Sequence, residues 1–535
     1  MSNGQPDLIV CAAAVRGPEE NGAANALAVT GGLISAVGTR AAILPLAASD
    51  TRILELDGGT IVPGFVDAHT HPVLGLEIVR GVDLSGILTS AGLREALAAA
   101  AADLGADDWF LGWGLDPNAF EGSAITNSVL HEILGSDRPA FVTLFDAHSA
   151  LASNETLRLA GVDAPRSFDD GSRIVDDGHG SPSGHLLEFS AIDVVRPVLP
   201  TRSVAERARQ LHVLLNSMAA AGVTATHVMD FEGDDTAALL TAAEDLHDLA
   251  VDLRFSPWCT PASTDDDLER LAAAQGRGGR AWRIEGIKFF IDGTVEGGTA
   301  WLDTPDSRGE NTASVWTDVD RYARCVAFFH ERGIQTATHA IGERGIRFAA
   351  ETLAALPSTG VQHRIEHIES VPDDVVRLIA RHGIAASIQP THCTHYTRAD
   401  GSDDWSVRLG ADRASRAWPT RDFRNAGAIL ALGSDWPIAP FEPLPIMADA
   451  QLRRPVDRAD VDPVLPAQGL TALQALEGYT THAHRAIGSD GGSLAAGAPA
   501  DFVVLDCDPL ASSAERLGSA RVLLTARSGR ITHQS

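Results

Sequence analysis

Arg283-Ile-Glu-Gly-Ile-Lys-Phe-Phe-Ile-Asp-Gly-Thr294 is an apolar, β-branched and aromatic run closed by Asp-Gly, and it reads as a buried strand. Its Lys288 is the only lysine in the chain; the other 41 of the 42 basic residues are arginines. Lysine is almost never fully buried unless paired. A guanidinium stays protonated, whereas a buried amine can lose its proton and act as a nucleophile or as the precursor of a ligand. A lysine kept inside a strand in an arginine-only background therefore points to a chemical requirement rather than to a surviving surface charge.

Outward from this run the chain alternates strands and helices. Strand-like runs lie at 60–67, 224–230, 252–258, 286–291, 334–339, 364–368, 385–389 and 429–435, and helical patterns at 204–221, 236–250, 318–332, 346–356 and 372–382. Eight strands alternating with helices predict an α/β chain whose parallel sheet closes into a (β/α)8 TIM barrel over residues 61–74 and 216–489. The competitor, an open doubly wound sheet, lacks the Gly-rich dinucleotide fingerprint after an early strand. The stretch 75–215, rich in Trp, Asp, His and Pro, is too long for one crossover after the first strand. It is predicted to be an insertion that shapes the substrate pocket. Residues 1–60 and 490–535 read as short strands with turns, too few at either end for a domain, so the two termini are expected to complete one small β-domain together.

At 535 residues the chain exceeds one ordinary core, and 44% hydrophobic with 21% charged residues is globular. A formal net charge of −29 argues against nucleic-acid binding, which needs clustered Lys and Arg. No apolar run approaches the length of a membrane span. The five cysteines (Cys11, Cys259, Cys325, Cys393, Cys507) are scattered and form no CxxC, which fits free buried thiols in a reducing compartment. Met1-Ser-Asn-Gly-Gln-Pro-Asp7 has no basic and apolar leader pattern, so the cytoplasm is the expected location. The expected partner is a small-molecule substrate, with a homodimer as the default assembly.

Candidate chemistry sits at the strand ends. His69 and His71 follow Ile61-Val-Pro-Gly-Phe-Val-Asp67, and residues two apart on an extended chain face one side. His339 closes Gln335-Thr-Ala-Thr-His, His367 closes Arg364-Ile-Glu-His, and Asp435 follows Leu430-Ala-Leu-Gly-Ser. Each of these alone is compatible with an ordinary polar residue beside a loop. Together with Lys288 they form six groups at strand ends in order, and strand ends of a barrel converge on one cavity. Four neutral imidazoles with carboxylate oxygens suit a divalent metal, zinc before manganese, iron or cobalt.

These residues resemble the amidohydrolase superfamily of metal-dependent hydrolases. Gly286-Ile-Lys-Phe-Phe-Ile-Asp-Gly293, His339-Ala-Ile-Gly-Glu-Arg344, His363-Arg-Ile-Glu-His367, Gln389-Pro-Thr-His392 and Gly433-Ser-Asp-Trp-Pro437 are similar to its YtcJ-like branch, which includes N-substituted formamide deformylase. The resemblance covers essentially the whole chain. It implies a distorted barrel with a small β-sandwich domain, His69 and His71 on one metal, and His339 and His367 on a second. It also implies an N6-carboxylated Lys288 bridging the two, whereas an uncarboxylated Lys288 paired with Asp292 beside one metal is the plainer alternative. The chain departs from the branch at His148-Ser-Ala-Leu-Ala-Ser-Asn154, where Asn and Ser are exchanged, and at Glu343, where Asp is common.

The expected reaction is hydrolysis of a C–N bond in an amide, N-formyl, carbamate or cyclic amide substrate by metal-activated water, with Asp435 carrying the proton. Trp113, Asp116, Asp146 and His148 from the insertion are candidate substrate contacts, with Asp292, Gln389, His392 and Trp436 beside them. Packing of a large aromatic accounts equally well for Trp113. Deamination of an amino-substituted ring, using His363 and Glu366 with one metal, stays open. So do esterase or lactonase activity on the same site and a non-catalytic metal-binding protein on this scaffold.

Overall fold

In the computed structural model, residues 5–18, 22–105, 108–168 and 171–535 are described, so the first four residues read for a leader lie outside them. Two parallel sheets form the centre. One contains Phe65–Thr70, Val223–Val228, Asp252–Phe255 and Trp282–Ile284; the other runs in order through Ile287–Phe290, Thr336–Ala340, Arg364–His367, Ala385–Ile388 and Leu430–Leu432. Almost every residue of these strands is buried, which is why they read as continuous apolar runs without alternation. The sheets meet at two single parallel bridges, Thr70 with Trp436 and Trp258 with Lys288. Helices Val204–Ala220, Gly233–Leu246, Val319–Glu331, Glu343–Ala354 and Asp373–Arg381 pack outside, within a residue or a few of the predicted spans. Trp282–Ile284 is a short additional strand that its Gly-flanked sequence hides.

The run at 60–67 is not one strand. Thr60–Pro63 joins a five-stranded sheet with Ala14–Val15, Phe502–Leu505, Val522–Arg527 and Arg530–Gln534, so both chain ends contribute to it. Phe65–Thr70 joins the parallel sheet. Gly64 makes the crossing feasible, because a Cβ there would stand 2.5 Å from the Thr224 hydroxyl oxygen. A separate four-stranded sheet holds Leu33–Gly38, Ala26–Thr30, Leu8–Cys11 and Arg52–Glu55. Leu8, Val10 and Leu27 share one apolar cluster with Ile61, Phe502, Val504 and Leu524, so the two terminal sheets bury each other's apolar faces.

The segment between Phe65–Thr70 and Val223–Val228 builds a seven-stranded sheet from Val82–Asp83 to Pro182–Leu187. Its alanine-rich stretch lies in helix Ser90–Ala101, started by the Thr89 side chain accepting from the Gly92 N–H. The five cysteines are buried and free. Among the described residues no helix is long and apolar enough to cross a membrane.

Candidate metal centre

Strand Phe65–Thr70 ends at the centre of the molecule, and Pro72 at the first turn of helix Pro72–Ile78 stops the strand just past His71. The chain segment 433–436 lies beside it. Asp435 N–H donates to the His69 carbonyl at 2.8 Å, and His71 N–H donates to the Trp436 carbonyl at 2.8 Å. Asp67 Oδ1 accepts from the N–H groups of His69 at 3.2 Å and Ser434 at 2.9 Å. Burial carries the Asp67 carboxyl up to about 7, opposed by these bonds. Gly433 permits the approach, since a Cβ there would stand 2.6 Å from the His69 nitrogen.

The Asp435 carboxylate is the meeting point. Its Oδ1 is 3.5 Å from His69 Nε2 and 3.3 Å from His71 Nε2; its Oδ2 is 3.8 Å from His367 Nδ1 and 3.6 Å from His392 Nε2. The sets His69–His71–Asp435 and His367–His392–Asp435 each gather their ligand atoms within 4.8 Å of one another. Three left-handed residues shape this convergence. Along an extended strand His367 would face away from Arg364 and Glu366, but φ of 72° at His367 and 51° at Ile368 turns its ring inward. Asp435 is likewise at φ 61°. Strain of this kind in residues with side chains concentrates at functional sites.

Carboxylates behind the imidazoles fix their tautomers. His69 Nδ1 donates to Glu366 Oε2 at 2.7 Å, and His71 Nδ1 donates to Asp230 Oδ2 at 2.7 Å. Glu366 is itself gripped by Arg364, whose Nε donates to Oε1 at 2.6 Å and Nη2 to Oε2 at 2.8 Å. The Nε2 atoms left pointing at Asp435 are then lone pairs facing oxygen lone pairs. That arrangement needs a cation or protons between its members. Buried His367 Nδ1 and His392 Nε2 have no hydrogen-bond partner among the described residues. The donor set therefore fits a divalent metal, with nitrogen and carboxylate ligands backed by an oriented outer shell.

Lys288 is fully buried beside this group, its Nζ 3.5 Å from His69 Nε2 and 5.0 Å from the Phe290 ring centre. Burial lowers its amine to about 8 against the pull of Glu366 and Asp435. Burial, with Lys288 second, lowers His69 to about 4. His71 rises to about 9 because hydrogen bonding to Asp230 and Asp435 outweighs its burial. Asp435 stays well below the usual carboxylate range despite burial, owing to His69 and His71. Burial lowers His339, His367 and His392.

A cavity of about 500 Å³ opens over the group and is lined by His69, His71, Lys288, His339, His367, His392 and Asp435 together with Asp146 and His148 of the insertion. Phe189, Trp258 and Phe290 form an aromatic wall, with ring centres 5.2 Å and 5.0 Å from Trp258. Not every expected residue is part of it. His339 lines the cavity with its ring centre 4.4 Å from that of His367 and its Nε2 3.3 Å from the Gly293 carbonyl; the two ligand groupings around Asp435 take in His392, expected as a substrate contact, and not His339. Trp113 and Asp116 do not line the cavity. Trp113 pairs with Asp83 in the insertion sheet, and Asp116 caps the turn Pro117–Phe120 by accepting from the Asn118 N–H. The Asp292 carboxylate accepts from the N–H groups of Trp301, Ile341 and Gly342, a backbone clamp rather than a partner of Lys288, and burial raises it to about 7. Gln389 is buried at the start of helix Pro390–Tyr396, and Trp436 packs against Phe441; neither lines the cavity. His363 faces His330 and Thr336 at the far end of its strand, so it and Glu366 form no pair open to the cavity.

The sequence reading does not anticipate Asp230, Glu366 as the partner of His69, or Glu188. Asp230 closes the run 224–230 and Glu366 precedes His367, so position at a strand end was a usable signal for both. For Glu188, whose partner is His148, no local pattern gives one.

Comparison with known proteins places the chain in a family. The Amidohydrolase family profile matches residues 52–533. The putative amidohydrolase YtcJ of Bacillus subtilis (strain 168) is 26% identical over 523 residues, covering 96% of this chain and 97% of the relative. N-substituted formamide deformylase of Arthrobacter pascens is 25% identical over 566 residues, covering 99% and 98%. In fold, the crystal structure of an uncharacterized metal-dependent hydrolase from Pyrococcus horikoshii OT3 is similar, with a TM-score of 0.69 at 23% identity over 95% of this chain and 99% of that one. The span of the profile takes in every strand that feeds the cavity, and the chain belongs to the amidohydrolase family of hydrolases.

Proposed function

We propose that the protein is a metal-dependent hydrolase of a non-peptide C–N bond, in an amide, N-formyl, carbamate or cyclic amide. The observation that carries this reading is the convergence of four imidazole nitrogens on the two oxygens of Asp435 beside a buried lysine. In this reading the two parallel sheets are the wall of a distorted (β/α)8 barrel, the terminal sheets are a composite β-sandwich, and residues 75–215 roof the pocket. The enclosed site favours hydrolysis over ring deamination, since His363 and Glu366 are both engaged elsewhere.

His69, His71 and Asp435 Oδ1 would hold one divalent cation, and His367, His392 and Asp435 Oδ2 a second, with zinc the first choice for this nitrogen-rich set. Such a cation supplies Lewis acidity toward the substrate carbonyl and a lowered pKa for water. Asp435, ionised at neutral pH, takes the proton of the attacking water and returns it to the leaving nitrogen. Glu366 and Asp230 keep His69 and His71 in one tautomer throughout. Phe189, Trp258 and Phe290 exclude bulk water and offer an apolar surface to the substrate.

Lys288 acts here as a carbamate. Its neutral amine forms an N–C bond to CO2 and loses one proton, which turns a buried amine into an anionic oxygen donor that arginine cannot supply. Lys288→Arg is expected to fold but to lose at least one of two cations per chain by elemental analysis; full cation content with full activity refutes the carbamate.

The test of the function is a substrate panel of N-acyl, N-formyl, carbamate and cyclic amide compounds with the cation-loaded protein, run beside esters, lactones and amino-substituted heterocycles. Amine release from the first group, with about two cations per chain, is expected. Turnover confined to esters or lactones, ammonia release from a ring, or no bound cation would each sink the reading.

A further inference from the structure

Strand Pro182–Leu187 runs directly into Glu188, whose backbone lies at φ 63° and ψ 169°, a region that residues with a Cβ occupy only under strain. The Glu188 carbonyl accepts from the Ile192 N–H at 3.2 Å, and three further hydrogen bonds tie Glu188 to His148 and Thr299. Glu188 N–H donates to the His148 carbonyl at 2.7 Å, His148 Nδ1 donates to Glu188 Oε2 at 2.9 Å, and the Thr299 hydroxyl donates to Glu188 Oε1 at 2.6 Å. Gly293 leaves room for the pair, because a Cβ at that position would collide with Thr299 Oγ1 and Glu188 Oε1. His148 is presented by a second left-handed residue, Ala147 at φ 54°. The turn is tied by Asp146 Oδ1, which accepts from the His148 N–H at 3.1 Å and from the Ser149 hydroxyl at 3.1 Å.

Two strained positions and three chain segments thus aim one imidazole. His148 lines the cavity while Glu188 does not, and the His148 ring lies 5.5 Å from that of His339 and 4.9 Å from that of Phe189. Among the described residues none hydrogen-bonds its Nε2. A purely structural histidine would have both nitrogens satisfied by protein; here one is fixed and the other is left to the cavity.

We propose that His148 is a catalytic residue whose imidazolium, with its Nδ1–H held by the Glu188 carboxylate, donates an Nε2–H hydrogen bond to the substrate's carbonyl oxygen as it becomes a tetrahedral oxyanion, and that Glu188 is its positioning residue. No bond forms or breaks at the imidazole. Water adds to the carbonyl carbon, negative charge gathers on the oxygen facing Nε2, and the contact relaxes when the carbonyl re-forms and the leaving group departs. A donor fixed before the charge develops needs no reorganisation when it does. The proposal rests on the hydrolase reading above but is indifferent to whether the scissile bond is C–N or C–O.

Methylphosphonate, a small tetrahedral oxyanion that cannot be turned over, is the probe. Its affinity for the cation-loaded protein is measured by titration calorimetry, with cation content and melting temperature recorded on the same samples. The wild type is expected to bind it, and His148→Ala to bind about 10²-fold more weakly with cation content unchanged. His148→Gln, which retains an N–H donor, recovers part of the loss. Glu188→Gln weakens binding in the wild-type background and adds nothing in the His148→Ala background, because a positioning residue acts only through the group it positions. Equal affinity in wild type and His148→Ala, no binding to the wild type, or loss of cation in His148→Ala overturns the catalytic role; an additive effect of Glu188→Gln overturns the positioning role. If the C–N reading alone fails, none of these results changes.

Discussion

Asp435→Asn is expected to lower turnover by about 10²–10⁴-fold while the protein stays folded and retains one of its two cations, because the substitution removes a proton acceptor and one carboxylate oxygen. The geometry makes this separable from collapse of the site. Asparagine has the shape of aspartate, so the φ of 61° and the bond from the Asp435 N–H to the His69 carbonyl need not change. One side-chain oxygen remains for either His69 and His71 or His367 and His392, while the other becomes an amide NH2 that faces nitrogen. Partial loss of cation from that side is therefore expected, with the remaining set intact. Asp435→Ala removes both oxygens and should empty both sets. The check is kcat on a compound from the panel that the wild type hydrolyses, normalised to cation content by elemental analysis. If Asp435→Asn keeps kcat within tenfold of wild type, another group carries the proton.

The sequence shows the strand ends clearly, for a physical reason. A strand buried on both faces reads as a largely apolar run, so a histidine or aspartate closing that run stands out as a cavity candidate. His69, His71, His367 and Asp435 are legible in this way, and Lys288 by its place inside strand Ile287–Phe290 of a chain with no other lysine. The boundary of the terminal β-domain is less so, because Thr60–Pro63 and Phe65–Thr70 share one uninterrupted apolar pattern and only Gly64 marks the change of sheet.

What the sequence hides depends on backbone conformation and on distance along the chain. His339 and His367 look equivalent as strand-closing histidines. The left-handed turn at His367 and Ile368 brings one ring to Asp435, whereas the His339 ring stays with Gly293. His392 enters the ligand group from helix Pro390–Tyr396, beyond the strand end where periodicity has stopped being informative. Trp113 and Asp116 show the converse. Both carry the chemistry of a binding residue, and both are used by the insertion to build its own sheet and turn. Glu188 is 40 positions from His148, and no periodicity spans that distance.

Glu366→Ala should be the most disruptive single change for both stability and cation binding. Arg364 and Glu366 are fully buried, two residues apart on one strand face, and make a two-bond ion pair. Arg364 also donates to the Ala68 carbonyl at 2.6 Å and to Ser387 Oγ at 2.7 Å, and its Nη1 lies 2.8 Å from His227 Nδ1. Removing Glu366 strands a guanidinium in the protein interior, which costs about 3–5 kcal/mol. At about 2.1 cal/mol/K of unfolding entropy per residue, that corresponds to a melting temperature about 3–5 °C lower by calorimetry at fixed scan rate. The same substitution frees His69 Nδ1, so its tautomer is no longer set and cation affinity should fall about 10–100-fold. The two losses separate in the double variant Arg364→Leu/Glu366→Leu. With the unpaired charge gone, much of the stability should return, since apolar replacement of a buried ion pair is often close to neutral. Cation affinity should stay low, because His69 still lacks its acceptor. Should the double variant regain cation affinity along with its melting temperature, Glu366 serves the ion pair alone and the orientation of His69 has another cause.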